Sequence, residues 1–516
     1  MSNLMFKSLA AAGCMAPVLA GQDLRTVAEA SDWQATATQL EVMELCRALS
    51  ESSPRVHMEV VGETAEGREL PILVLADPPV SDPSEVGDRL VAFAWAGIHS
   101  GEVCGKPATL MLARELAQAA EHPLLEDLVV LFMPLLNADG NDRMDPGNRR
   151  GQQGPALGMG TRANAAGLNI NRDWMKLDTL EARTVVRVLD LWSPVIAMDL
   201  HTTNGTRHRY TLTFDGQRHP AVDDDLRRLT RNDLLSSVRW TIESDTGYRT
   251  QYYGNLDRDR THWTIDPALP RYSTHYVGLR HQISLLSEAY SYASYEDRVR
   301  ATIAFVRHSF QWVADHKEQV RRTILAAEER TVAMGHDPRP EDLVHLRRQP
   351  KFTASPVTIL AFDGEEERDY PCFYNDMSEA TLSVPRTWAY LLPPQFEQAS
   401  DNLEAHGIRV RSLVADTELV VEVYRITSLQ QGERSYEGHV LNTVEASKRD
   451  EQRIVPAGTL VIRSAQPLGT LAALLLEPQS EDGLCTWNFF DSALAEGQDF
   501  PVLRLPRPVS LDTLRR

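Results

Sequence analysis

The sequence predicts an α/β fold built on a mostly parallel mixed sheet with helices on both faces, followed by a smaller β-rich C-terminal domain. Three observations point to it. Short, largely apolar runs recur between residues 91 and 286, and strands buried on both faces of a parallel sheet read as near-continuous apolar stretches. Segments of helical periodicity lie between these runs, as crossovers of a parallel sheet require. Beyond about residue 350 the texture changes to β-type runs bounded by turn residues.

Taken in order, Thr38 and Glu41 form a capping box, and Val42, Leu45, Cys46 and Leu49 follow at helical spacing until Pro54. Residues 55–76 alternate around a turn at Gly62–Gly67, a hairpin pattern. Val91–Ala96 reads as a buried strand, Pro107 as a helix start, Leu128–Met133 as a second strand. Asp178–Glu181 caps a helix running to Trp192; Val195–Leu200 and Gln282–Leu286 are further strands. Residues 137–169 are rich in Gly and hold Pro146 and Pro155, a long loop of the kind that carries function. A helical region spans 294–334, and 335–350 reads as a linker. The expected division is a candidate signal peptide at 1–21, a catalytic domain at 22–334, the linker, and a β-rich domain at 351–516.

At 516 residues the chain exceeds a single core. Its net charge of −19 excludes a nucleic-acid partner, which needs a positive field. No run is long and apolar enough for a transmembrane segment. Lys7 followed by a short apolar run with small residues near Ala20 resembles a signal peptide, so a periplasmic or secreted location is expected, with the cytoplasm as the alternative. The five cysteines form no close pair and indicate neither a CxxC metal site nor a disulfide framework.

The chemistry-bearing residues stand at strand ends. His99 and Glu102 are three apart, directly after a buried strand, so a tight turn can aim both at one ion. His201 follows another such strand, and ligands of open α/β sheets bind outside the carboxyl ends of the strands. Two histidines and a glutamate leave a fourth zinc position for water, the mark of a catalytic site. Asn171 and Arg172 suit recognition of a carboxylate through a guanidinium fork and a directional amide. Glu288 ends an apolar strand, where a buried carboxylate needs a partner; a metal-activated water would be one, which makes Glu288 a general-base candidate. His208, His262, His275 and His281 read as hydrogen-bonded or solvated histidines, Trp487–Phe490 as core of the β domain, and Asp223–Asp225 as a helix-start cluster.

In order and context these elements resemble the zinc carboxypeptidase family, the carboxypeptidase A-like metallopeptidases, over roughly residues 33–320, and in particular its larger bacterial members with a C-terminal β domain. The Asn137-Ala-Asp-Gly140 turn belongs to the same pattern. The resemblance implies one Zn2+ held by His99, Glu102 and His201, Glu288 as general base, and a substrate C-terminal carboxylate on Asn171 and Arg172. It also implies an arginine that polarises the scissile carbonyl, for which Arg149 and Arg150 lie at the expected distance past the turn. The interval from Arg172 to His201 is shorter than in digestive carboxypeptidases, and the family's mobile tyrosine has no clear counterpart, Tyr272 and Tyr276 being near its place. The expected activity is release of a C-terminal residue from a peptide. The alternatives are a zinc amidohydrolase acting on N-acyl amino acids, of the aspartoacylase or succinylglutamate desuccinylase kind, and a non-catalytic binding module on the same fold. The oligomeric state is left open by the sequence.

Overall fold

The computed structural model describes residues 23–119 and 121–515; the candidate signal peptide lies outside the described residues. The hairpin pattern forms β1 (Val56–Glu63) and β2 (Glu69–Leu75). Then follow β3 (Leu90–Ala96), β4 (Leu128–Met133), β5 (Ile196–Thr203), β6 (Leu212–Gly216), β7 (Thr250–Tyr252), β8 (Asn255–Leu256), β9 (His262–Thr264) and β10 (Ile283–Tyr290). Eight of them make one mixed sheet in the order β1-β2-β4-β3-β5-β10-β6-β7. Its centre is parallel, through β4–β3, β3–β5 and β5–β10, and its β1–β2–β4 edge is antiparallel. The order jumps at β3, β5 and β10, whose carboxyl ends therefore open onto a crevice.

Helices form where the periodicity and caps place them. Thr38 makes the full capping box with Glu41 at the head of Gln39–Ser52. Thr179 rather than Asp178 caps Leu180–Trp192, because its hydroxyl reaches the Ala182 N–H. Helices Gly105–Gln118 and Tyr295–Asp315 pack on one another and on the sheet. Pro107 sits inside the first turn of Gly105–Gln118, where its missing N–H costs nothing.

Two expectations are corrected. The strands carrying His201 and Glu288 do not stop before them: β5 runs to Thr203 and β10 to Tyr290, since both ladders continue through these polar positions. The register sets Glu288 directly opposite His201. The segment 335–350 is no free linker, because it holds the end of helix Lys317–His336 and most of a strand, Leu343–Lys351, paired antiparallel with Met377–Pro385.

The C-terminal region is β-rich, with a seven-stranded sheet that includes the long antiparallel pair Thr417–Gln431 and Asn442–Val455. It is joined to the preceding region by a ladder, Phe373 and Tyr374 pairing with His262 and Trp263 of β9. One buried apolar cluster also runs through both regions, from Ala28 to Val502. Trp487 and Phe490 lie in that cluster, and Asp223 caps the short helix Asp224–Arg228. Among the described residues no helix is long and apolar enough to cross a membrane.

Candidate active site

β3 ends at Ala96 and the chain turns at Gly97, whose φ of +71° is left-handed. A Cβ there would come within 2.9 Å of Leu135, so glycine is required on two counts. The Glu102 N–H then closes the turn on the His99 carbonyl at 2.9 Å. That brings His99 Nδ1 to 3.1 Å from Glu102 Oε1. From the neighbouring β5, His201 Nδ1 reaches Glu102 Oε2 at 2.9 Å. The three ligand atoms lie within 4.8 Å of one another, and all three residues are buried.

Each imidazole has its other nitrogen engaged. His99 Nε2 donates to Asn169 Oδ1 at 2.9 Å, which makes Nδ1 the lone-pair nitrogen, turned toward Glu102 and Arg162. His201 Nε2 lies 2.9 Å from Asp199 Oδ2, a contact that is chiefly electrostatic because it lacks hydrogen-bond geometry. Asp199 is fixed in turn by the Ser273 hydroxyl at 2.6 Å. Burial pushes the His99 pKa down to about 4, so its imidazole is neutral and able to bind a metal. Burial opposes a charge on His201, yet the Asp199 and Glu102 carboxylates hold its pKa well above 6.5. Burial also opposes the Glu102 charge, but His99 and Arg149 keep it ionised, well below its ordinary value.

These residues line a cavity of about 400 Å3 together with Arg149, Arg162, Asn171, Arg172, Tyr253 and Glu288. Burial pushes the Glu288 carboxyl up to about 8, with His201 pulling the other way. Asn171 Oδ1 accepts the Ser273 N–H at 3.0 Å. Arg172 donates to the Asn171 carbonyl at 2.7 Å, and its guanidinium lies 4.1 Å over the Tyr272 ring. The fork is thus held flat at the cavity wall.

The arginines divide differently from the sequence expectation. Arg150 is exposed and does not line the cavity. Arg149 is committed to the protein: its side chain is 15% exposed, with Nη1 on Glu102 Oε1 at 2.9 Å and Nη2 on the Thr202 carbonyl at 3.0 Å. Arg162 is 49% exposed and stands 3.2 Å from His99 Nδ1 and 3.4 Å from Glu102 Oε1.

Sequence reasoning missed Asn169, Asp199 and Tyr253. Asn169 and Asp199 stand two positions before Asn171 and His201, and on a strand two residues share a face, a signal available for Asp199. His275 reads as bland in the sequence, yet it lines the cavity and accepts the Arg218 N–H. With Asp215 and Arg218, an ion pair at 2.6 Å, it makes that part of the cavity polar.

The chain is similar to known carboxypeptidases. Residues 42–189 match the zinc carboxypeptidase family, a span containing His99, Glu102, Asn171 and Arg172 but ending before His201 and Glu288. Carboxypeptidase 2 of Trichophyton equinum is 24% identical over 497 residues, covering 92% of this chain and 88% of its own length. A probable carboxypeptidase 2 of Arthroderma benhamiae is 23% identical, covering 88% and 86%. Among solved structures, a putative carboxypeptidase A from Shewanella denitrificans shows 19% identity and a TM-score of 0.40 over 54% of this chain and 69% of its own.

Fold, donor set and family match define a zinc metallopeptidase. The chain carries a zinc carboxypeptidase domain, and its class is that of the metallocarboxypeptidases.

Proposed function

We propose that the protein removes the C-terminal residue of peptides, with one zinc ion held by His99, Glu102 and His201. Two imidazole nitrogens and one ionised carboxylate within 4.8 Å fit zinc, His201 giving up its proton as the metal binds, and three protein ligands leave a fourth position for water. When bound, zinc activates water near neutral pH and polarises a carbonyl.

The chain's own residues do the rest. Glu288, across the ladder from His201, would be kept ionised by the charge of the bound metal, and its carboxylate then takes the proton of the attacking water and passes it to the departing amine. Arg162 presents guanidinium N–H groups where oxyanion charge develops; Arg149 instead orients Glu102. Asn171 and Arg172 hold the substrate's terminal carboxylate. The observation that carries this reading is that the carboxylate fork and the metal cluster line one cavity. A carboxylate gripped at one wall would bring the last peptide bond toward the metal ligands.

Mass spectrometry of a peptide digest tests it. Single residues should leave from the C-terminus, stop when zinc is chelated, and resume when zinc is restored. Internal cleavage, or turnover confined to N-acyl amino acids, would overturn the reading. We further propose that the protein is exported by its N-terminal segment; N-terminal sequencing of the cellular protein should then begin near residue 21.

A further inference from the structure

We propose that the C-terminal β-rich region is a working part of the active site: Glu437 and Asp482 position the metal-ligand shell and the carboxylate fork. The inference rests on the site reading above.

The strands Thr417–Gln431 and Asn442–Val455 extend into a tip where Tyr436 and His439 pair through both backbone bonds. Glu437 and Gly438 at the tip have φ of +50° and +87°. Two consecutive left-handed residues are what a tight hairpin turn needs, and Gly or Asn adopts them most readily. Glutamate at the first of these positions is strained by the turn, so its side chain invites another explanation. Glu437 Oε2 accepts the Asn169 N–H at 2.7 Å. Asn169 is the residue whose Oδ1 accepts both His99 Nε2 and the Asn171 N–H. One contact from the C-terminal region thus fixes the residue that sets the His99 tautomer. His439 secures the same tip, with Nε2 at 2.9 Å from Asp178 Oδ2.

The second anchor acts through Arg271. Asp482 is fully buried and accepts Arg271 twice, from the backbone N–H and from Nε, both at 2.8 Å. The Trp487 ring stacks 4.7 Å from the same guanidinium. The next two residues touch the site directly. Tyr272 underlies Arg172, while Ser273 donates its N–H to Asn171 and its hydroxyl to Asp199 beside His201. Two of the strips of chain that carry the site, at 169–172 and 271–273, are therefore tied to residues beyond 430.

The test uses full-length protein. Glu437→Gly relieves the positive φ and should leave the unfolding temperature equal or higher, while the Asn169 contact is lost. Zinc affinity, read by competition with a chromogenic chelator, should fall about three- to tenfold. That is less than the 10–100-fold typical of a group bonded directly to a metal ligand, because Glu437 acts one residue further out. Glu437→Gln keeps an acceptor and should recover most of the affinity. Wild-type affinity in Glu437→Gly, or no recovery in Glu437→Gln, overturns the first anchor. Asp482→Asn, checked for wild-type zinc content, should raise KM for free-carboxylate peptides with kcat little changed; if it does not fold, Arg271→Met is read in its place. An unchanged KM overturns the second anchor. Failure of wild type to bind zinc would instead overturn the site reading.

Discussion

Replacing Glu288 by Gln should separate two roles of one carboxyl group. Catalytically, the amide keeps the shape but cannot take a proton, so kcat should fall on the order of 10²–10⁴-fold while zinc stays bound. Thermodynamically, burial raises this carboxyl from its ordinary 4.5 to about 8 in the metal-free protein. A carboxyl that holds its proton more tightly folded than unfolded adds stability at low pH, and that stability disappears as pH rises from 4.5 through 8. At about 1.4 kcal/mol per pH unit, the loss amounts to at most roughly 5 kcal/mol. The Glu288→Gln variant, whose amide does not titrate, would not suffer it. Chelator-treated wild type and Glu288→Gln should therefore unfold alike near pH 5, and the variant should be the more stable near pH 8. Denaturant titrations at the two pH values measure this. An equal difference at both would refute burial of an ionisable carboxyl at the catalytic position, and near wild-type kcat would remove Glu288 as the base.

Other outcomes follow from the same geometry. Arg162→Met should lower kcat by about 10²-fold or more, as loss of an oxyanion donor does, while Arg150→Met should be silent; steady-state kinetics decide. Arg149→Met should weaken zinc binding, because Glu102 loses its partner at 2.9 Å; chelator competition reads it. His201→Ala should leave strongly reduced zinc by elemental analysis, and unchanged stoichiometry would take His201 out of the site.

Much of this site was legible because its residues sit where strands end. Val91–Ala96 and Leu128–Met133 are apolar throughout, so their β character and burial could be read directly, and His99 and Glu102 then fell at a predictable turn. The extents of β5 and β10 could not be read, because polar Asp199, His201 and Glu288 interrupt the apolar signal while their backbones keep the ladder. The choice among arginines was also hidden. Arg149, Arg150 and Arg162 lie in one irregular loop, and only folding decides that Arg149 pairs with Glu102, Arg150 faces solvent and Arg162 stays available. The strand in the expected linker, Leu343–Lys351, was masked by Pro350 and by basic residues that its exposed face tolerates. The contribution of Glu437 lay beyond sequence reasoning, since it acts on Asn169 across 268 positions.

The central claim is that Arg172 turns a zinc hydrolase into one that reads chain ends. The direct measurement is kcat/KM for a peptide pair identical except for a free or amidated C-terminus, on wild type and on Arg172→Met. An amide leaves the half-buried Arg172 guanidinium without its charge partner, a loss of roughly 1.5–3 kcal/mol, so wild type should prefer the free end. Arg172→Met should lose most of that preference by becoming poor on the free-end peptide, and Arg172→Lys should recover only part, having no fork. Equal cleavage of both peptides by wild type would contradict the account, and preference retained in Arg172→Met would assign the carboxylate to another residue.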